Sequence, residues 1–167
     1  LVTYIRTDSV RVSDEALQQV RAYIPETFGS GYLPKKPNEY KGRAGAQDAH
    51  EAIRPTDVSR TPESIKDSLT REQMQLYKLI YNRFVASQMT EALYKTLTAE
   101  FAAKDVSLRY YGEFKVFPGF TALYEEGQDD GEESKMSPLP VVEEGAKVPV
   151  QEVTTEQHFT QPPARYT

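Results

Sequence analysis

The chain has no cysteine and no tryptophan among its 167 residues, and only two histidines, His50 and His158. Lacking cysteine, it forms neither disulfides nor thiolate metal sites, which fits a reducing compartment. The histidines lie far apart and neither stands in an HExxH-type spacing, which argues against zinc. No apolar run approaches the roughly 20 residues needed to span a bilayer, and no secretory signal is present. The expectation is a soluble, cytoplasmic protein with no membrane partner.

Positive charge is also scarce, with a net charge of −5 at pH 7. Its distribution matters more than its sum. Residues 1–60 carry +1, residues 61–127 carry −1 and residues 128–167 carry −5. The excess acid is thus confined to the end of the chain, where Gln128-Asp129-Asp130-Gly131-Glu132-Glu133-Ser134-Lys135 reads as a solvated loop rather than a binding face. Arg6, Arg11, Lys35, Lys36, Lys41, Arg43 and Arg54 in the first sixty residues suit phosphates, and equally suit a mixed-charge surface. The chain begins at Leu1 and ends at Thr167 after a proline-rich run, and is expected to be an excised piece of a longer protein. Its length suffices for one good core or two small ones.

The periodicity divides the chain in two. Ser13-Asp14-Glu15 supplies an N-cap and an acidic first turn, with Ala16, Leu17, Val20 and Ile24 at helical spacing, and the helix is expected to end near Phe28, where Gly29-Ser30-Gly31 can supply a left-handed cap. Residues 30–60 form a long connection with little periodicity. Within it, 44–53 is expected to be a short helix stopped by Pro55, with Gln47, His50, Glu51 and Arg54 on one polar stripe. Thr61-Pro62-Glu63 opens another short helix. Thr70-Arg71-Glu72-Gln73 is a capping box, followed by an apolar stripe of Met74, Tyr77, Ile80, Tyr81, Phe84, Val85 and Met89. From Tyr94 the pattern alternates, predicting strands over 94–101 and 106–111 with a turn at Lys104-Asp105. A bend or bulge is expected within 114–120, and an edge strand over 147–153 carrying Pro149. The fold class predicted is α+β, a mainly helical N-terminal domain over 1–90 followed by an antiparallel β module over 91–167.

Chemistry concentrates at the start. In Leu1-Val2-Thr3-Tyr4-Ile5-Arg6-Thr7-Asp8-Ser9, an extended backbone projects Tyr4 and Arg6 from the same face. A phenol with an ordinary pKa of about 10 is a poor nucleophile at neutral pH, and a nearby guanidinium favours its phenolate and neutralises a phosphate under attack. By itself Tyr-x-Arg is also what a packed strand tyrosine beside a solvated arginine looks like. Likewise, His50 beside Arg54 is either a structural hydrogen-bonder or a phosphate contact.

Three strings taken together decide more: the opening one, Asp48-Ala49-His50-Glu51-Ala52-Ile53-Arg54-Pro55-Thr56, and His158-Phe159-Thr160-Gln161-Pro162-Pro163-Ala164-Arg165-Tyr166-Thr167. In this order and spacing they resemble the signatures of the type IA DNA topoisomerases. Ile5 and the His50-Glu51-Ala52-Ile53-Arg54 string resemble the topoisomerase I branch more than the topoisomerase III branch. The resemblance implies an ATP-independent isomerase that relaxes negatively supercoiled DNA through a 5′-phosphotyrosyl intermediate, with single-stranded DNA and the remaining domains of the same polypeptide as partners and a location at the bacterial nucleoid. It implies Tyr4 as nucleophile, Arg6 as stabiliser of the transferring phosphoryl group, Thr3 and Asp8 as positioning groups, and His50 and Arg54 as contacts to the DNA backbone. It also implies Mg2+ bound by an upstream toprim domain whose pattern is absent here, so that the piece alone is expected to be inactive and to bind no metal. The last string is implied to be a hinge or connection. A non-catalytic single-stranded-DNA-binding or structural module is the alternative.

Overall fold

The computed structural model describes residues 1–41, 50–124 and 140–160. It has the α+β class expected, with three helices followed by an antiparallel β hairpin. Helix α1 (Asp14–Phe28) begins where Ser13 Oγ accepts from the Ala16 amide. It ends at Gly29, whose φ of 103° and ψ of 159° are glycine's territory without being a left-handed helical cap. A short α2 (Pro62–Ile65) is capped by Thr61, and α3 (Arg71–Ser87) opens with both halves of the Thr70–Gln73 capping box made.

The core lies between α1 and α3. Ala16, Val20 and Ile24 present one face of α1, while Tyr77, Tyr81, Phe84, Val85 and Met89 come from α3 and the turn after it; Val58 closes the cluster. The tyrosines bury rings without orphaning hydroxyls, because Tyr77 donates to Arg60 O at 2.7 Å and Tyr81 to Val58 O at 2.8 Å. Burial raises the pKa of both phenols, and for Tyr81 the neighbouring Tyr23 raises it further. Buried Gln88 exchanges hydrogen bonds with both backbone groups of Asn38, whose amide in turn donates to Ser87 O and Met89 O. The last carbonyl of α3, Ser87 O, is therefore satisfied by the connection after α1, while Phe84, Val85 and Ala86 accept from Ser87 Oγ, Gln88 N and Met89 N.

Strands β1 (Leu93–Ala103) and β2 (Val106–Phe117) pair around the two-residue turn Lys104-Asp105. Lys104 occupies a positive φ of 57°, an unfavourable position for a residue with a Cβ. The register passes from Leu93↔Phe117 to Tyr94↔Lys115, leaving Val116 as the extra residue of a bulge inside the segment expected to carry one. Paired residues share a face, so Leu97, Ala99 and Phe101 lie with Leu108, Tyr110 and Phe114 on one side, and Thr96, Thr98 and Glu100 with Arg109, Tyr111 and Glu113 on the other. Leu108 and Phe114 on the apolar side are 54% and 41% exposed.

The hairpin joins the helices at a tight crossing. The Thr90 amide donates to Tyr32 O, Phe120 N donates to Thr90 O, and the Tyr32 and Phe117 rings lie 4.8 Å apart. Gly119 has a φ of +50°, and a Cβ there would fall 2.3 Å from Glu91 O, so only glycine lets the two backbones pass.

Two further expectations fail. Residues 50–54 are not helical, since their backbone groups pair with the N-terminal segment instead of with each other. The remainder of that expected helix, with Gln47, lies outside the described residues. Residues 147–153 form no strand either. Val148, Val150 and Val153 are exposed, Pro149 removes a donor, and no neighbouring strand is available among the described residues. The acidic loop at 128–135 and residues 161–167 of the last motif also lie outside the described part.

Candidate functional site

The opening segment is not a free strand; it is knitted to residues 50–56. Val2 bridges Pro55, Thr3 N donates to Arg54 O at 2.9 Å, Thr56 N to Leu1 O at 3.0 Å, and Ala52 N to Arg11 O at 2.8 Å. The Thr3 hydroxyl works both ways, donating to Ala52 O at 2.8 Å and accepting from Arg54 N at 3.0 Å. Ser9 Oγ donates to His50 O at 2.7 Å, and Arg11 Nε reaches the same carbonyl at 3.4 Å. The two sequence motifs are thus one structural unit, although some fifty residues separate them.

This weave turns Tyr4 outward. It is 79% exposed, and its hydroxyl has no hydrogen bond among the described residues. Two residues on, Arg6 joins Asp8 and His50 in a linked set of three groups. Arg6 Nε donates to Asp8 Oδ2 at 2.7 Å, and Arg6 Nη1 stands 3.3 Å from His50 Nε2. Because guanidinium only donates, this contact needs Nε2 as an acceptor, placing the proton of a neutral ring on Nδ1. Nδ1 faces Asp8 Oδ2 at 3.9 Å. His50 Nδ1 and Asp8 Oδ1 are buried without a hydrogen-bond partner among the described residues, an uncommon state shared with Arg54 Nε and Arg21 Nη1.

Arg6 and Arg54 have opposite surroundings. The Arg6 side chain is 47% exposed and its Nη2 makes no hydrogen bond among the described residues. Arg54 is 12% exposed and turned inward, its Nη2 bonded to Glu51 Oε2 at 2.9 Å and to Ser13 Oγ at 3.4 Å, and its Nη1 to Pro55 O at 3.0 Å. Burial alone raises the Glu51 pKa; hydrogen bonding to Ser13 and the charges of Arg54 and Arg11 outweigh it and hold the carboxyl below its ordinary value.

The structure therefore brings Arg6, Asp8 and His50 together, ties Thr3 to Ala52 and Arg54, leaves Tyr4 exposed two residues before Arg6, and turns Arg54 inward. Sequence reasoning overlooked Ser9, Ser13 and Glu51 as site residues. Ser9 carries no signal apart from its place in the first motif, while Glu51 looked like part of a helical stripe. Among the described residues no three His, Asp or Glu side chains converge as a metal site. A separate cavity of about 560 Å³ lies between the 38–40 loop, α3 and the crossing at Phe120; Arg83 stacks 5.2 Å from the Tyr124 ring there, and none of the expected site residues lines it. No helix among the described residues is long and apolar enough to cross a membrane.

The structure of full-length topoisomerase I from Thermotoga maritima is similar, with 37% sequence identity and a TM-score of 0.63 over 78% of this chain. The matching part is 20% of that protein, so this chain spans a minor share of it. A family model described as DNA topoisomerase matches residues 1–167. With motifs, fold and full-length match in agreement, the chain belongs to the DNA topoisomerase family, in its bacterial type IA form.

Proposed function

We propose that this chain supplies the cleaving tyrosine of a type IA topoisomerase that relaxes negatively supercoiled DNA. The observation that carries this reading is an exposed Tyr4 two residues before an arginine fixed from two sides. Tyr4 Oη attacks a backbone phosphorus, forming a Tyr–O–P bond as the P–O3′ bond breaks. The phenolic proton is released to solvent, and the departing oxygen takes up a proton and leaves as a 3′-hydroxyl. One phosphodiester replaces another, so no ATP is consumed, and religation runs the same exchange backward after strand passage.

Asp8 and His50 hold two edges of the Arg6 guanidinium, leaving Nη2 to meet the phosphate and the charge developing on it. Thr3 locks the backbone before Tyr4, and His50 completes the phosphate-facing cluster. DNA is the partner, single-stranded where it is cut, which implies a cytoplasmic, nucleoid-associated location. Residues 1–90 form the tyrosine-bearing domain and 91–167 part of a β domain; the exposed apolar side of the hairpin supports packing against further chain of the same polypeptide. Magnesium belongs to a part of the longer enzyme outside this chain and enters no step above. The chain alone does not relax DNA.

The test uses the full-length reading frame, wild type and Tyr4→Phe, with single-stranded oligonucleotides labelled at either end. Denaturant-stable transfer of the 3′ label to wild type alone is expected. Transfer of neither label, or labelling of Tyr4→Phe, would favour a non-catalytic DNA-binding module.

A further inference from the structure

We infer that Glu51 and Arg54 form a brace that positions the Tyr4 segment, and that Arg54 acts through the protein rather than on DNA. This rests on the reading of Tyr4 as nucleophile and assigns a role to a pair behind it. Successive side chains of the 50–54 segment go opposite ways: His50 meets Arg6, whereas Glu51 meets Arg54 and Ser13. Ser13 is the N-cap of α1, so one carboxylate and one guanidinium connect the first turn of that helix to the loop bearing His50. Arg54's own backbone groups hold Thr3, the residue before Tyr4.

The hydrogen-bonding capacity of Arg54 is directed inward. Its Nη atoms meet Glu51, Ser13 and Pro55, and its Nε is buried without a partner among the described residues. An arginine 12% exposed and already neutralised by a carboxylate has little to offer a phosphate, unlike Arg6 at 47%. Arg54 is a positioning residue in this reading. Displacing a reacting group by about 1 Å can cost on the order of a hundredfold in rate, so losing the brace should slow cleavage while leaving DNA affinity alone.

The two possible roles of Arg54 separate in one experiment on the full-length protein. Affinity for a single-stranded oligonucleotide is measured over a range of salt in a Tyr4→Phe background, and single-turnover adduct formation in a Tyr4 background, each with Arg54→Ala and Glu51→Gln. The brace predicts unchanged affinity and salt slope, with adduct formation slowed by roughly 10- to 100-fold in Arg54→Ala and less in the isosteric Glu51→Gln. A phosphate contact predicts weaker binding and a salt slope reduced by about 1 in Arg54→Ala, and that result overturns the inference. So does Glu51→Gln cleaving at the wild-type rate. If Arg54→Ala fails to fold, Glu51→Gln, which keeps the shape of the pair, carries the same comparison.

Failure of the Tyr4 reading shows up separately, as absence of adduct in wild type or its persistence in Tyr4→Phe. In that case amide hydrogen exchange at Thr3, Ala52, Arg54 and Thr56 still judges the brace. It should accelerate in Glu51→Gln, and unchanged exchange at all four amides would refute the brace by itself.

Discussion

Asp8 accepts a 2.7 Å hydrogen bond from Arg6 Nε, and this pairing decides which edge of the guanidinium faces outward. Both partners are substantially exposed, so the pair should add little to stability, within about 1 kcal/mol. Its value is orientation.

Asp8→Ala is accordingly expected to leave the melting temperature of the full-length protein almost unchanged while slowing adduct formation by about tenfold or more, because the cation at the phosphate loses its fixed orientation. Asp8→Asn, which keeps an acceptor oxygen, should be milder. Equal rates for Asp8→Ala and wild type would remove Asp8 from the site.

Glu51 should leave a mark on acid stability. Its folded pKa lies below the unfolded value of about 4.3, so its stabilisation is fully present above that pH and lost as pH falls through the lowered folded value. Chemical denaturation at neutral pH should therefore show wild type more stable than Glu51→Gln, and the gap should close below about pH 4. A gap that widens on acidification would contradict the ion pair with Arg54.

Tyr81 offers an alkaline counterpart. Its phenol is held neutral by burial, so the stabilisation is complete below the ordinary pKa of about 10 and is lost as pH rises toward the raised folded value. Tyr81→Phe strands Val58 O and should cost about 1–3 kcal/mol at neutral pH. In an ultraviolet titration, one tyrosine ionising only at high pH should disappear from the variant; loss of one from the group ionising near the ordinary pKa instead would place the Tyr81 hydroxyl in solvent.

Gly119→Ala tests the crossing between helices and hairpin. With the added methyl 2.3 Å from Glu91 O and φ at +50°, backbone must move, and a loss of at least about 2 kcal/mol is expected. Hydrogen exchange should localise the loosening to Thr90 and Phe120, whose amides hold the junction. An alanine variant as stable as wild type would mean that the junction is not the close approach described.

The helices were legible because their signals are local. A cap at Ser13, a capping box at Thr70 and an apolar stripe from Tyr77 to Met89 sit within a few turns of the bonds they specify, and the alternation around Lys104-Asp105 specifies a hairpin in the same way. The edge strand over 147–153 misled for a matching reason. Alternating valines signal a strand only if another strand lies alongside, and the local pattern is silent about that.

What the sequence by itself determined was the position of α1, α3 and the hairpin, most of the core and, through three motifs, the family. Tertiary structure decided the disposition of the site. Residues 50–54 read as a helix because their polar side chains recur at helical spacing, yet their backbone groups are taken by Thr3 and Arg11 some forty to fifty residues away. That pairing, together with the bend at Ile53, is what turns His50 toward Arg6 and Arg54 away from the surface, a choice no periodicity within the segment records.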